Sequence, residues 1–187
     1  MKEFNPGNIE ALHKNLHIIV GLGNPGKEYE YTYHNIGMLC IKKFEDNENI
    51  SSKTHASKIF THSKIASKIF VTPLTFMNES GSAVQIALHY FKENPRSLLV
   101  IHDDSDLTLG DYKLDFAKGA AGHKGVASII SALGTKDFFR LRIGIRPSFS
   151  QEERRKKASE FVLKKMKKEE LEILSHVFHT IYEKLFY

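Results

Sequence analysis

The stretch from Leu16 to Phe44 constrains this chain more than any other. Leu16 to Val20 is a short apolar run rich in β-branched residues, which suits a buried strand. Gly21-Leu-Gly-Asn-Pro-Gly26 then turns the chain, and from His34 onward Ile36, Leu39, Cys40 and Phe44 fall at helical spacing. A strand that ends in a glycine-rich turn and feeds a helix is where α/β proteins carry their chemistry, at the carboxyl edge of the sheet. The turn offers Asn24, and the helix start offers His34, a side chain that titrates near neutral pH. Gly21, Gly23 and Gly26 also match G-x-G-x-x-G, with Glu45 or Asp46 downstream. The dinucleotide fingerprint needs its acidic residue at the end of a second strand. Here residues 36–44 read as helix running into a polar loop, so a nucleotide-binding oxidoreductase is disfavoured.

A length of 187 residues with 41% hydrophobic content suits one domain with a real core. Residues 1–15 stand apart as an N-terminal extension, and residues 16–187 are expected to form the domain. The single cysteine, Cys40, cannot form an intrachain disulfide, which fits a reducing cytosol. No apolar segment approaches the roughly 18 residues of a membrane span, and the start has no apolar core of signal-peptide type. The net charge is +5, with basic residues crowded at 154–157 and 164–168. Those runs read either as a solvated helix surface or as the footprint of a polyanion, with nucleic acid the foremost candidate.

Further along, residues 57–62 and 67–72 read as a hairpin, with Ala-Ser-Lys-Ile-Phe occurring at 56–60 and again at 66–70. Pro73 closes it, and Asn78 or Ser80 is expected to cap a helix with Val84, Ala87, Leu88 and Phe91 on one stripe. Leu98 to Ile101 is a strand buried on both faces and ending at His102-Asp-Asp-Ser-Asp106. Residues 111–116 read as an edge strand. Residues 118–125 form a glycine-rich loop, which leads to a helix over 126–133 and then a strand over 139–145. Leu171, Leu174, Phe178, Ile181 and Leu185 give a terminal helix one apolar face. The fold class is α/β: a single domain with a mixed, mostly parallel twisted sheet flanked by helices.

Strand and loop ends thus deliver Asn24 with His34, Phe76-Met77-Asn78, Asp103, and His123-Lys124. Folded on one sheet edge, an imidazole oriented by a carboxylate beside amide side chains could make water nucleophilic and hold a carbonyl. Each residue has a plainer reading. Asn24 suits a turn, Asn78 a cap, His34 the surface, and the His-Asp-Asp cluster an acidic turn. The spacing fits no strong metal motif. The lone cysteine lies inside a helix and no serine sits in G-x-S-x-G context, so covalent catalysis is less attractive than base-activated water.

GLGNPGKEY with HNIG, TPLTFMNESG, HDDSDLTLG, and GAAGHKG followed by RLRIGI resemble the bacterial peptidyl-tRNA hydrolase family, in the family's order and over residues 18–147. The resemblance implies cleavage of the ester joining a peptide to the 3′ end of tRNA, without metal or cofactor. It makes His34 the general base, Asp103 the group that holds the imidazole, and Asn24 and Asn78 hydrogen-bond partners of peptide and water. Tyr29, Phe76 and Met77 would line the groove for peptide and terminal adenosine. Lys113 and Arg142 would clamp a tRNA phosphate, and the glycine-loop His123 and Lys124 would face the substrate. The implied partner is peptidyl-tRNA, with no membrane, and the chain is expected to be a cytoplasmic monomer. Three positions depart from the family pattern. Lys124 stands for an asparagine, Tyr33 for an arginine before the base, and Asp115 for a second basic residue near the phosphate site. An RNA-binding relative that keeps the fold with little or no turnover is the alternative.

Overall fold

The central strands are apolar on both faces, which places helices on both sides of the sheet. The computed structural model describes residues 2–3, 6–146 and 161–187, so the basic run 154–157 lies outside it. Eight strands form one sheet, β1 (Lys2–Glu3), β2 (Ile18–Gly21), β3 (Lys53–Thr54), β4 (Phe60–Ile65), β5 (Lys68–Pro73), β6 (Leu98–Thr108), β7 (Tyr112–Phe116) and β8 (Phe139–Arg146). Their spatial order is β1-β7-β8-β6-β2-β5-β4-β3. The centre, β5-β2-β6-β8, is parallel, and β3-β4-β5 and β7-β8 are antiparallel.

Five helices are described, α1 (Pro6–Asn15), α2 (Ile36–Asn47), α3 (Ser80–Phe91), α4 (Lys124–Leu133) and α5 (Lys168–Phe186). On one face Ile19, Leu99, Ile101, Leu141 and Ile143 pack against Ile36, Cys40 and Phe44 of α2 and Leu174, Phe178 and Ile181 of α5. On the other, Ile18, Val20 and Val100 pack against Val84, Ala87 and Leu88 of α3 and Val126 and Ile129 of α4. No helix among the described residues is long and apolar enough to cross a membrane.

The structure departs from the sequence reading at four elements. The His102-Asp103-Asp104 stretch does not end β6, which runs on to Thr108. These residues keep backbone pairing with Arg142, Ile143 and Gly144 of β8, and their side chains find polar partners. β7 is not an edge, because β1 adds to it in parallel. Residues 6–15 form α1, whose Leu12 is buried in the core. Finally, a two-residue turn at Ala66-Ser67, with Ala66 at φ 53°, pairs Ile65 with Lys68 and so fixes the hairpin register. That register leaves most of the first Ala-Ser-Lys-Ile-Phe copy ahead of β4, which opens only at its Phe60.

Close approach of α2 to the sheet depends on Gly37. A Cβ there would lie 2.3 Å from the Ile101 carbonyl oxygen and 2.4 Å from the Leu22 nitrogen. Both contacts are with backbone, so neither can swing aside. Gly37→Ala should therefore cost about 1–3 kcal/mol, as overpacking does, read as a lower denaturant midpoint with unchanged m. An unaltered midpoint would mean that α2 can lift away from the sheet freely.

Candidate active site

The turn after β2 is fixed by an asparagine that sequence reasoning passed over. Asn24 N–H donates to Asn35 Oδ1 at 2.8 Å, and Asn35 Nδ2 donates back to the Asn24 carbonyl at 2.9 Å. This two-point amide clamp is buried. An asparagine just before a helix ordinarily reads as its cap, but Asn35 makes no capping bond. Asn24 Oδ1 accepts from Met77 N–H at 2.8 Å, tying the turn to the segment after β5. The Asn24 Nδ2 group makes no hydrogen bond to the described residues and remains an available donor.

Beside it, two imidazoles converge on one carboxylate oxygen. His34 Nδ1 lies 2.8 Å and His123 Nε2 lies 2.9 Å from Asp103 Oδ1. The His34, Asp103 and His123 side chains are 12%, 4% and 8% exposed. A carboxylate oxygen only accepts, so each ring points an N–H at it. For His123 the assignment is doubly fixed, because its Nδ1 accepts from Val126 N–H at 3.3 Å. His34 is left with Nε2 as its lone-pair nitrogen. Burial alone would raise the Asp103 pKa, but the His123 and His34 donors overcome it and hold the carboxyl well below the usual range.

His102, on the opposite face of β6, donates from Nδ1 to the Asp103 carbonyl at 2.7 Å. Burial pushes its pKa well below 6.5, with His123 adding to the effect, so this ring is neutral. The ligand atoms of His34, Asp103 and His123 lie within 4.8 Å of one another. A metal ion there would require both facing ring nitrogens to give up their protons, whereas the arrangement is already complete as a hydrogen-bonded set.

These groups wall a cavity of about 450 Å³ that also includes Tyr29, Phe76, Met77, Asn78 and residues 120–124. Tyr29 and Phe76 meet edge to face, 6.3 Å between centroids, and Phe76 is half-exposed. Met77 is buried. Asn78 is exposed and does not cap α3, and Ser80 instead donates to the Met77 carbonyl. A larger cavity, about 660 Å³, opens between α2 and the hairpin on another side of Asn24, without His34 or Asp103.

Asp104, Ser105 and Asp106 also line the cavity at His34, as do Val162 and Leu163, which the sequence did not single out. Val162 O accepts from the His34 backbone N–H at 2.8 Å, and Met166 N–H donates to Tyr31 O at 2.8 Å. Tyr33 holds this segment too. Its hydroxyl donates to Glu170 Oε1 at 2.8 Å, and its ring meets Phe161 edge-on at 5.8 Å. Lys164, Lys165, Lys167 and Lys168 are exposed alongside.

The expected phosphate clamp looks different in three dimensions. Arg142 Nε donates to Asp104 at 2.6 Å and Nη1 to Asp115 at 2.8 Å. Burial opposes its charge, yet these two carboxylates raise its pKa. The guanidinium is thus already engaged by two carboxylates. Lys113 pairs opposite it in register, and neither residue lines the cavity. Lys124 is exposed at the start of α4 and does line it.

Residues 18–186 match the family model described as peptidyl-tRNA hydrolase. A peptidyl-tRNA hydrolase of Prochlorococcus marinus is 40% identical over 176 residues, covering 91% of this chain and 87% of the relative. One of Lawsonia intracellularis is 41% identical over 172 residues, covering 90% and 84%. The crystal structure of peptidyl-tRNA hydrolase from Acinetobacter baumannii superposes with a TM-score of 0.79 at 30% identity, covering 91% of this chain and 87% of that one. With matches of this extent in both sequence and fold, the chain belongs to the peptidyl-tRNA hydrolase family.

Proposed function

We propose that this chain hydrolyses the ester between peptide and tRNA in peptidyl-tRNA, with His34 as the base that activates water. One observation carries the assignment: the His34 ring is held at Nδ1 by Asp103, 2.8 Å away, within a cavity. Nε2 takes a proton from water as its oxygen attacks the ester carbonyl. The tetrahedral intermediate collapses by breaking the bond to the ribose 3′ oxygen, and the proton passes from the imidazolium to that leaving oxygen. Asp103 keeps the tautomer and stabilises the imidazolium. The free Nδ2 donor of Asn24 and the side chain of Asn78 hydrogen-bond the peptide and the water. Tyr29, Phe76 and Met77 supply the apolar wall for peptide and terminal adenosine, and Lys124 offers a cation at the same wall.

The catalytic unit in this reading spans residues 16–187 and works as a cytoplasmic monomer without metal. Single-turnover cleavage of N-acetyl-aminoacyl-tRNA, with uncharged tRNA binding alongside, tests it. Binding without cleavage would favour the RNA-binding alternative, against which the intact His34–Asp103 pair argues.

Phosphate contact belongs to the exposed lysines next to His34 more than to the neutralised Arg142. Replacing Lys164 and Lys165 by glutamine should flatten the slope of log Kd against log salt by about one to two units. Arg142→Ala should instead lower Tm, because it strips two carboxylates of their partner. The reverse pattern would return the phosphate site to β7 and β8.

A further inference from the structure

We infer that His123 is a positioning residue of the reaction rather than a substrate contact: it holds Asp103, and through it His34, while seating the loop that walls the cavity. The inference rests on the hydrolase reading. His123 Nε2 donates to the same Asp103 oxygen that His34 uses, so the carboxylate is gripped from two elements at once. The His123 ring lies 5.0 Å from the His34 ring and 4.6 Å from that of His102, centroid to centroid, and is nearly buried. Both of its nitrogens are used within the protein, Nε2 by Asp103 and Nδ1 by Val126 N–H. It has no donor or acceptor left for a substrate.

Apart from Ala120, which packs against the core, and the Ala117 N–H bond to Phe138 O, the loop is lightly held. Gly119 and Gly122 have nothing within 4 Å of where a Cβ would sit, and Ala121 is exposed. Ala117 and Ala121 adopt φ of 54° and 48°, unfavourable for residues other than glycine. The His123 N–H donates to Ala120 O at 3.0 Å, closing the turn that its own side chain pins to β6. One side chain therefore fixes the catalytic carboxylate and the wall facing it.

Three variants separate the roles. His123→Ala should lower kcat on N-acetyl-aminoacyl-tRNA by about 10–100-fold, the loss usual when a group orienting an active residue is removed, with KM within about threefold. His123→Gln, whose amide can donate from nearly the same place as Nε2, should recover kcat to within about threefold of wild type. His123→Ser keeps a good helix cap but cannot reach Asp103, and should stay as impaired as alanine. A raised KM with unchanged kcat would overturn the inference in favour of substrate contact. Full rescue by serine would reduce His123 to a cap, and wild-type kcat in all three would remove its role.

A second measurement stands apart from turnover. The downfield proton resonance of the His34 Nδ1–H bond to Asp103 should shift or broaden in His123→Ala and return in His123→Gln. An unmoved resonance in the alanine variant overturns the inference even if the wild type cleaves nothing. A wild type without turnover but with that resonance pattern would instead sink only the hydrolase reading.

Discussion

His34→Ala should lower single-turnover cleavage of peptidyl-tRNA by about 10²–10⁴-fold, the range general-base catalysis supplies. The imidazole is the titratable group of the cavity that is oriented by a carboxylate yet keeps a lone-pair nitrogen free of protein partners. Water without it must lose its proton to bulk solvent. Affinity for uncharged tRNA should stay within a few-fold, since the side chain is only 12% exposed and its Nδ1 is engaged by Asp103. Rapid-quench kinetics together with filter binding read the two effects separately. Near-normal turnover would assign the base elsewhere.

Asp103→Asn should cost no more than His34→Ala, with a loss in kcat of up to about 10⁴-fold, the size seen when the orienting carboxylate of a triad becomes an amide. The amide oxygen can still accept from both imidazoles, but it brings no charge to support the imidazolium formed as water is deprotonated. The amide can also turn its NH₂ toward His34 and select the tautomer whose proton sits on Nε2, where it cannot act as base. Loss of a negative charge disfavours imidazolium, so the acid limb of the kcat/KM profile should move to lower pH. In the wild type that limb cannot come from Asp103, whose carboxyl is held ionised by its two donors. An acid limb at unchanged pH, or a loss exceeding that of His34→Ala, would contradict this division of labour.

Much of the fold lay open in the sequence because it rests on local patterns. The β2 turn, the α2 stripe of Ile36, Cys40 and Phe44, and the terminal helix follow from periodicity and glycine placement. The motif residues Asn24, His34, Asp103 and His123 line one cavity, although Asp103 lies within β6 and His34 and His123 stand at helix starts. What stayed hidden depends on register or distant pairing. Asn35 acts by clamping backbone eleven positions away, invisible to any helical or strand period. The neutralisation of Arg142 needs the exact alignment of β6, β7 and β8 that brings Asp104 and Asp115 to its two sides. The Val162 and Leu163 wall needs a segment nearly 130 residues from His34 to fold back upon it.

That fold-back links two things usually thought of apart. The amide of His34 is bonded to Val162, and the chain beyond Val162 leads directly into α5. The base is thus suspended between the glycine turn at one end of the chain and the last helix at the other. A sub-global opening that undocks α5, well short of complete unfolding, releases the backbone that sets the His34 ring. Any opening that undocked α5 would therefore cost catalytic competence without unfolding the sheet beneath the site.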